Sequence, residues 1–159
     1  FLWTGDLRLN TVHVFDVCNA MWHGATKLKV GSVFNLCDKN ETTQEKISAI
    51  LRDIYKIKTS YVGTLKSKIA SKMSFKEITE EINDKHLKPW SELLSKQGIV
   101  NSPLTPYLDQ ELLYNNHLSL DGSGIEKTGF KYQLPLMKKD RIMEQITYFA
   151  KQKLFPIQN

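Results

Sequence analysis

The apolar run Gly31-Ser32-Val33-Phe34-Asn35-Leu36-Cys37-Asp38 constrains this chain more than any other feature. Its β-branched and aromatic residues, bounded by a glycine and by the polar Lys39 and Asn40, are those of a strand buried on both faces of a sheet. Helical patterns flank it. Ahead of it, Asp16 is a candidate N-cap for a helix running through Met21 and Trp22 and closing at Gly24, Lys27 and Lys29. Behind it, Thr42 and Glu45 form a capping box, and Ile47, Ile50, Leu51, Ile54 and Tyr55 recur at three-and-four spacing along one face. Helix, strand, helix is the alternation of an α/β layered domain. A single strand cannot satisfy its own backbone groups, so the missing strands must come from elsewhere.

The remainder of the chain predicts helices with little sheet. Arg8 to Val14 is extended in character. Phe75, Ile78 and Ile82 mark a helical face capped by Ser74, and Trp90, Leu93 and Leu94 a second, short helix after Pro89. Pro106 opens a helix carrying Leu108, Leu112 and Leu113. His117 to Leu120 is strand-like, and Asp121 then caps a brief helix ending at Gly129. Ile142, Ile146, Phe149 and Ala150 share one face of a last helix that closes near Pro156. The expected organisation is therefore residues 1–58 as strand and helix elements of a layered domain, and residues 59–159 as a mainly helical cap. The whole is mostly helical with few short strands.

With 159 residues, 41% of them hydrophobic, the chain has the size and composition of one ordinary domain. Its 22 basic and 17 acidic residues give a net charge of +5. Lys66, Lys68, Lys72 and Lys76 run into Glu77, Glu80 and Glu81, which is a solvated surface and not a nucleic-acid stripe. The denser cluster Lys138, Lys139, Arg141 opens a helix and is read as solvated too. Cys18 and Cys37 lie in apolar segments without ligand or redox spacing, so both are expected to be small buried hydrophobes in a reducing compartment. Trp22 and His23 are expected to pack. His86 and His117 are too isolated for a metal site. Asn40-Glu41-Thr42 fits a glycosylation sequon, but it is read as a helix entry. With no membrane-length apolar run and no signal segment, a soluble cytoplasmic protein is expected, with neither membrane nor nucleic acid as partner. Phe1-Leu2-Trp3-Thr4 already has structural character without an initiator methionine, which predicts further chain upstream or on another polypeptide.

These residues resemble a family. Arg8-Leu9-Asn10-Thr11-Val12-His13-Val14-Phe15-Asp16-Val17 resembles the Arg-x-x-x-(Val/Ile)-His-Val-x-Asp-(Val/Leu) stretch of extended short-chain dehydrogenases/reductases, which include sugar-nucleotide epimerases, dehydratases and related reductases. Gly31 to Leu36 is similar to the Gly-x-(Val/Phe)-(Tyr/Phe)-Asn-(Val/Leu) strand that follows it, and the Ile47 helix falls where the family has one. Leu118 to Phe130 is similar to the Asp-x-Ser entry and Gly-(Phe/Trp) exit of a short helix near the family's end, with Gly124 where a lysine often stands. The resemblance spans nearly the whole chain but not the family's beginning, which carries the nucleotide fingerprint and the Tyr-x-x-x-Lys pair. Gly122-Ser123-Gly124 starts a Gly-x-Gly-x-x-Gly, but Lys127 occupies the third glycine's place. None of the six tyrosines is followed by lysine four residues later.

The resemblance implies the carboxyl-terminal, substrate-side part of a Rossmann-type NAD(P)-dependent oxidoreductase or epimerase. NAD or NADP would serve the complete enzyme, and no cofactor or catalytic residue is expected in this chain alone. Its partners would be a missing amino-terminal Rossmann half or another subunit, and a small-molecule substrate. Arg8 matches the arginine that contacts substrate phosphate in sugar-nucleotide epimerases, against the simpler reading of a surface salt bridge. Asn10 and His13 are further substrate-side candidates, although a histidine between Val12 and Val14 also suits a boundary position. Asp16 and Thr42 are read as structural caps, and no metal ligand is proposed. A non-catalytic binding or structural subunit derived from the same family is the alternative. Because the fingerprint is missing, the isolated chain is expected not to bind NAD(P)H at micromolar concentration, and a fluorescence titration that saturates in that range contradicts this.

Overall fold

The computed structural model describes residues 1–63, 75–114 and 117–157, with Phe75 described by its backbone alone. The described residues are mostly helical. Their β pairing is limited to three isolated bridges, Trp3 with Gly63, Arg8 with Thr43 and Leu9 with Leu118. Among them no helix is long and apolar enough to cross a membrane. Two compact units divide the chain, one of Thr4–Ser60 with Asn116–Lys139, the other of Phe1–Trp3, Tyr61–Asn115 and Asp140–Asn159. The segment Asn116–Lys139, expected with the rest of residues 59–159, thus groups with Thr4–Ser60.

In the unit containing Thr4–Ser60, helix α1 spans Val14–Lys27 and α2 spans Gln44–Tyr55. Neither begins at the expected cap: α1 starts three residues earlier and α2 one residue later. The N-cap of α1 is His13, whose Nδ1 accepts from the Phe15 N–H at 3.2 Å. Asp16 is not a cap. It lies in the first turn at 1% exposure, and its two carboxylate oxygens accept the N–H groups of Gln133 at 2.6 Å and Leu134 at 2.9 Å. The carboxylate therefore clamps the 133–134 backbone against α1. Likewise Thr43, not Thr42, caps α2, accepting from the Lys46 N–H. Thr42 is fully buried, and its hydroxyl donates to Asp38 Oδ1 at 2.9 Å. Gly24 lies inside α1 and does not close it. The expected apolar face of α2 is half-buried along its length.

The expected buried strand is not formed. Residues 32–38 form neither helix nor ladder, and among the described residues no backbone–backbone hydrogen bond is made by Val33, Phe34, Asn35 or Leu36. Exposure nevertheless alternates as a strand's would: Val33 is 89% exposed and Asn35 is exposed, while Phe34 and Leu36 pack against the core of Ala20, Ile125 and Phe130. Cys37 is buried as expected, whereas Cys18 is exposed. Cys18 belongs to the outer side of α1, which also carries Val14, Phe15, Met21 and a 73% exposed Trp22. Trp22 therefore does not pack as expected, while His23 does, its Nε2 lying 2.8 Å from Thr128 Oγ1 and its ring at the edge of Phe130. A short 3-10 helix, Ser123–Thr128, is capped by Gly122 and ends at Gly129 in the left-handed conformation. Asp121, expected as its cap, accepts the Ser123 N–H from one position earlier.

In the other unit, α3 spans Phe75–Lys96 as one helix with Pro89 inside it, where two helices were expected. Proline removes a single helical hydrogen bond, and the turn at residues 85–89 is exposed, so water can serve the freed carbonyl. The expected cap Ser74 lies outside the described residues. The helix expected from Pro106 is reduced to a 3-10 turn, Gln110–Leu113. The last helix, α4, spans Lys139–Lys151. Side-chain amides replace sheet pairing here. The Asn83 carboxamide bonds both the carbonyl and the N–H of Leu108, at 2.9 and 2.7 Å, and Gln97 does the same to Ile157 at 2.8 Å each. Trp3 is buried, with Nε1 donating to the Leu113 carbonyl.

The Asp16 clamp predicts that Asp16→Ala, which strands two backbone N–H donors, destabilises the protein by about 3 kcal/mol in urea titration. A loss below about 1 kcal/mol would show that these donors find water instead.

Candidate functional site

The Arg8 to Thr11 segment, the turn at 37–41 and the stretch 119–132 enclose a pocket of about 350 Å³. Asp38 holds two of these walls together. Its Oδ2 accepts from both the N–H and the hydroxyl of Thr11, at 2.8 and 2.6 Å, and its Oδ1 accepts from the Asn40 N–H and the Thr42 hydroxyl. Burial pushes this carboxyl up, but the four hydrogen bonds outweigh that and hold it below the ordinary aspartate range. The third wall is tied in through Asn10, whose Oδ1 accepts the Leu120 N–H, and through the Cys37 thiol, which donates to the Leu120 carbonyl.

Arg8 and Asn10 line this pocket. The Arg8 Nη1 donates to Ser119 Oγ at 3.0 Å, and Nη2 lies 3.4 Å from Glu41 Oε2. Arg8 thus makes the salt bridge of the simpler reading, and it also lines the pocket. His13 is not among the lining residues. Its Nδ1 caps α1, and its buried Nε2 has no hydrogen-bond partner among the described residues. His117 accepts the Arg8 N–H through Nδ1 at 3.3 Å.

A second cation, Lys39, escaped the sequence reading. Its Nζ pairs with Glu126 Oε1 at 2.5 Å and lies 5.8 Å from the centre of the Tyr132 ring. Tyr132 donates to the Gly122 carbonyl, and burial raises its phenol pKa. The pocket therefore presents two cations, each paired with a glutamate, together with the carboxylates of Asp38 and Asp121 and an aromatic ring, a lining of mixed charge that suits a polar ligand.

A dinucleotide does not fit the glycine pair at 122 and 124. No strand leads into a helix of six residues, and a side chain built on Gly122 would stand 2.7 Å from Cys37 Sγ and 2.9 Å from the Cys37 nitrogen. Protein already takes the approach that a fingerprint glycine leaves open for pyrophosphate. Among the described residues, no group of three or more His, Cys, Asp or Glu could hold a metal ion. The basic cluster near 139 is paired, Lys139 with Asp53 and Arg141 with Glu144. Comparison with protein-family models, with curated proteins and with solved structures found no match.

Asp38 gives the site a pH signature. Its folded pKa lies below the unfolded value of about 3.9, so its contribution to stability is complete above that value and is lost as pH falls through the folded one. The stability gap between wild type and Asp38→Asn should therefore be constant from about pH 7 to 5 and shrink below about pH 4. Urea melts across this range that show an unchanging gap contradict the assignment.

Proposed function

We propose that this chain supplies the substrate side of an NAD(P)-dependent oxidoreductase or epimerase of the extended short-chain dehydrogenase/reductase type, and is not catalytic alone. The observation that carries the reading is the run Val33 to Leu36, alternately covered and exposed like a strand yet without a backbone hydrogen bond among the described residues. Unpaired main-chain groups in an extended apolar segment call for adjoining strands. In a Rossmann-type domain those strands would come from the missing amino-terminal half, which would also bring the nucleotide site and the proton-transferring tyrosine and lysine. NAD or NADP supplies hydride chemistry in such an enzyme.

The contribution of this chain is to bind and orient. Arg8, steadied by Ser119 and by the backbone bridge to Thr43, presents a guanidinium suited to a phosphate or carboxylate of a small-molecule substrate. Asn10 holds the 120 backbone, and Lys39 with Tyr132 offers a second polar wall. The exposed Val14, Phe15, Met21 and Trp22 on one side of α1 agree with a missing partner.

Expressed alone, the chain should self-associate and bind a hydrophobic dye, and it should lose both properties when the amino-terminal half is supplied. A monomeric sedimentation profile with a cooperative melt and no partner present would show that the chain closes its own core, and the reading would fail.

A further inference from the structure

After α4 the chain reverses at Lys153, a left-handed residue with a φ of 53°, and the Leu154 N–H closes the turn on the Phe149 carbonyl. Beyond it, Phe155 and Ile157 make no backbone–backbone hydrogen bond among the described residues. Side chains of α3 and of the turn after it hold the segment instead. Ser102 Oγ, oriented by the Leu104 N–H that it accepts at 3.1 Å, donates to the Leu154 carbonyl at 2.5 Å. The Phe155 ring lies 5.8 Å from the Trp90 ring, and Pro156 is buried. The Gln97 carboxamide pairs with both the carbonyl and the N–H of Ile157, at 2.8 Å each.

These contacts divide the work of recognition. Gln97 engages main chain alone, as a neighbouring strand does, and leaves the Ile157 side chain 59% exposed. Trp90 selects an aromatic ring, and the buried position at 156 suits proline, which brings no N–H in need of a partner. Gln97 is also fixed independently of its ligand. The turn that ends α3 bonds the N–H groups of Gln97 and Ile99 to the Leu94 carbonyl, with Gly98 left-handed and Ile99 buried. Main-chain bonds for affinity and side-chain seats for sequence are how extended peptides are recognised. We infer that Trp90, Gln97 and Ser102 form a recognition site for an extended peptide of the form aromatic-proline-x, where x carries an N–H. Residues 154–157 occupy it in cis, as a latch hinged at Lys153. Because the Gln97 bonds are exposed and both rings are only half-buried, the latch can detach, and an outside peptide of the same chemistry competes for its seat. Tethering keeps the resident segment at an effective concentration of about millimolar or above, so a free peptide enters once the latch is weakened.

Titration of the full chain with acetyl-Leu-Phe-Pro-Ile-amide, followed by the NMR signals of the Gln97 carboxamide and the Trp90 indole N–H, tests this in wild type, Phe155→Ala and Ile157→Pro. The second variant removes the N–H that Gln97 accepts and leaves Phe155 in place, so a folding defect in one variant leaves the other. Each variant should bind the peptide about ten-fold tighter than wild type or better, because its latch competes less well. Adding Gln97→Leu should abolish the gain. Alanine in place of the peptide's phenylalanine or proline should cost about ten-fold in affinity, and serine in place of its isoleucine should cost nothing measurable. Peptide binding that is absent or equal in wild type and both variants, or a gain that survives Gln97→Leu, overturns the site. Hydrogen exchange on the same samples separates a latch from a piece of the core: α3 amides should stay protected in both variants, and loss of that protection in both overturns the proposal.

Discussion

The Asp38 carboxylate is the interaction on which the pocket depends. Two hydrogen bonds to Thr11 fix the extended segment that carries Arg8 and Asn10, and two more fix Asn40 and Thr42 at the entry to α2. One buried side chain thereby sets the turn that brings Glu41 to Arg8. Hydrogen bonds to an ionised group are stronger than those between neutral groups, and burial makes each of them costly to lose. Asp16 does the equivalent work for α1, clamping residues far away in the chain.

These two carboxylates also show why the helix caps differ from the expected ones, by three residues at α1 and by one at α2. Local spacing offers Asp16 and Thr42 as caps, since each precedes an apolar periodic run. In the structure both are engaged away from their helices, Asp16 with residues 133 and 134 and Thr42 with Asp38, and the caps pass to His13 and Thr43. What depended on near neighbours was legible: the face of α2 and the end of the short helix at Gly129. What depended on partners distant in sequence was not. The run at 31–38 shows the composition and alternation of a strand, but a strand also needs neighbours to pair with, and no local pattern supplies them.

The site divides in the same way. Arg8 and Asn10 could be proposed because they sit within one contiguous stretch resembling a family motif. Lys39, Glu126 and Tyr132 meet only after the chain has folded back over some ninety residues, and none belongs to a motif. A lysine after an apolar run gives little reason to expect a pocket.

The proposed function requires Val33 to Leu36 to pair as a strand with a sheet supplied by further polypeptide. Hydrogen–deuterium exchange at these four amides tests it most directly, measured on the chain alone and on the complete polypeptide. The account predicts exchange near the unprotected rate in the isolated chain and strong protection in the complete protein, confined to this segment and the outer side of α1. Equal exchange in both states would mean that nothing pairs with this segment, and would contradict the reading of the chain as half of a larger sheet.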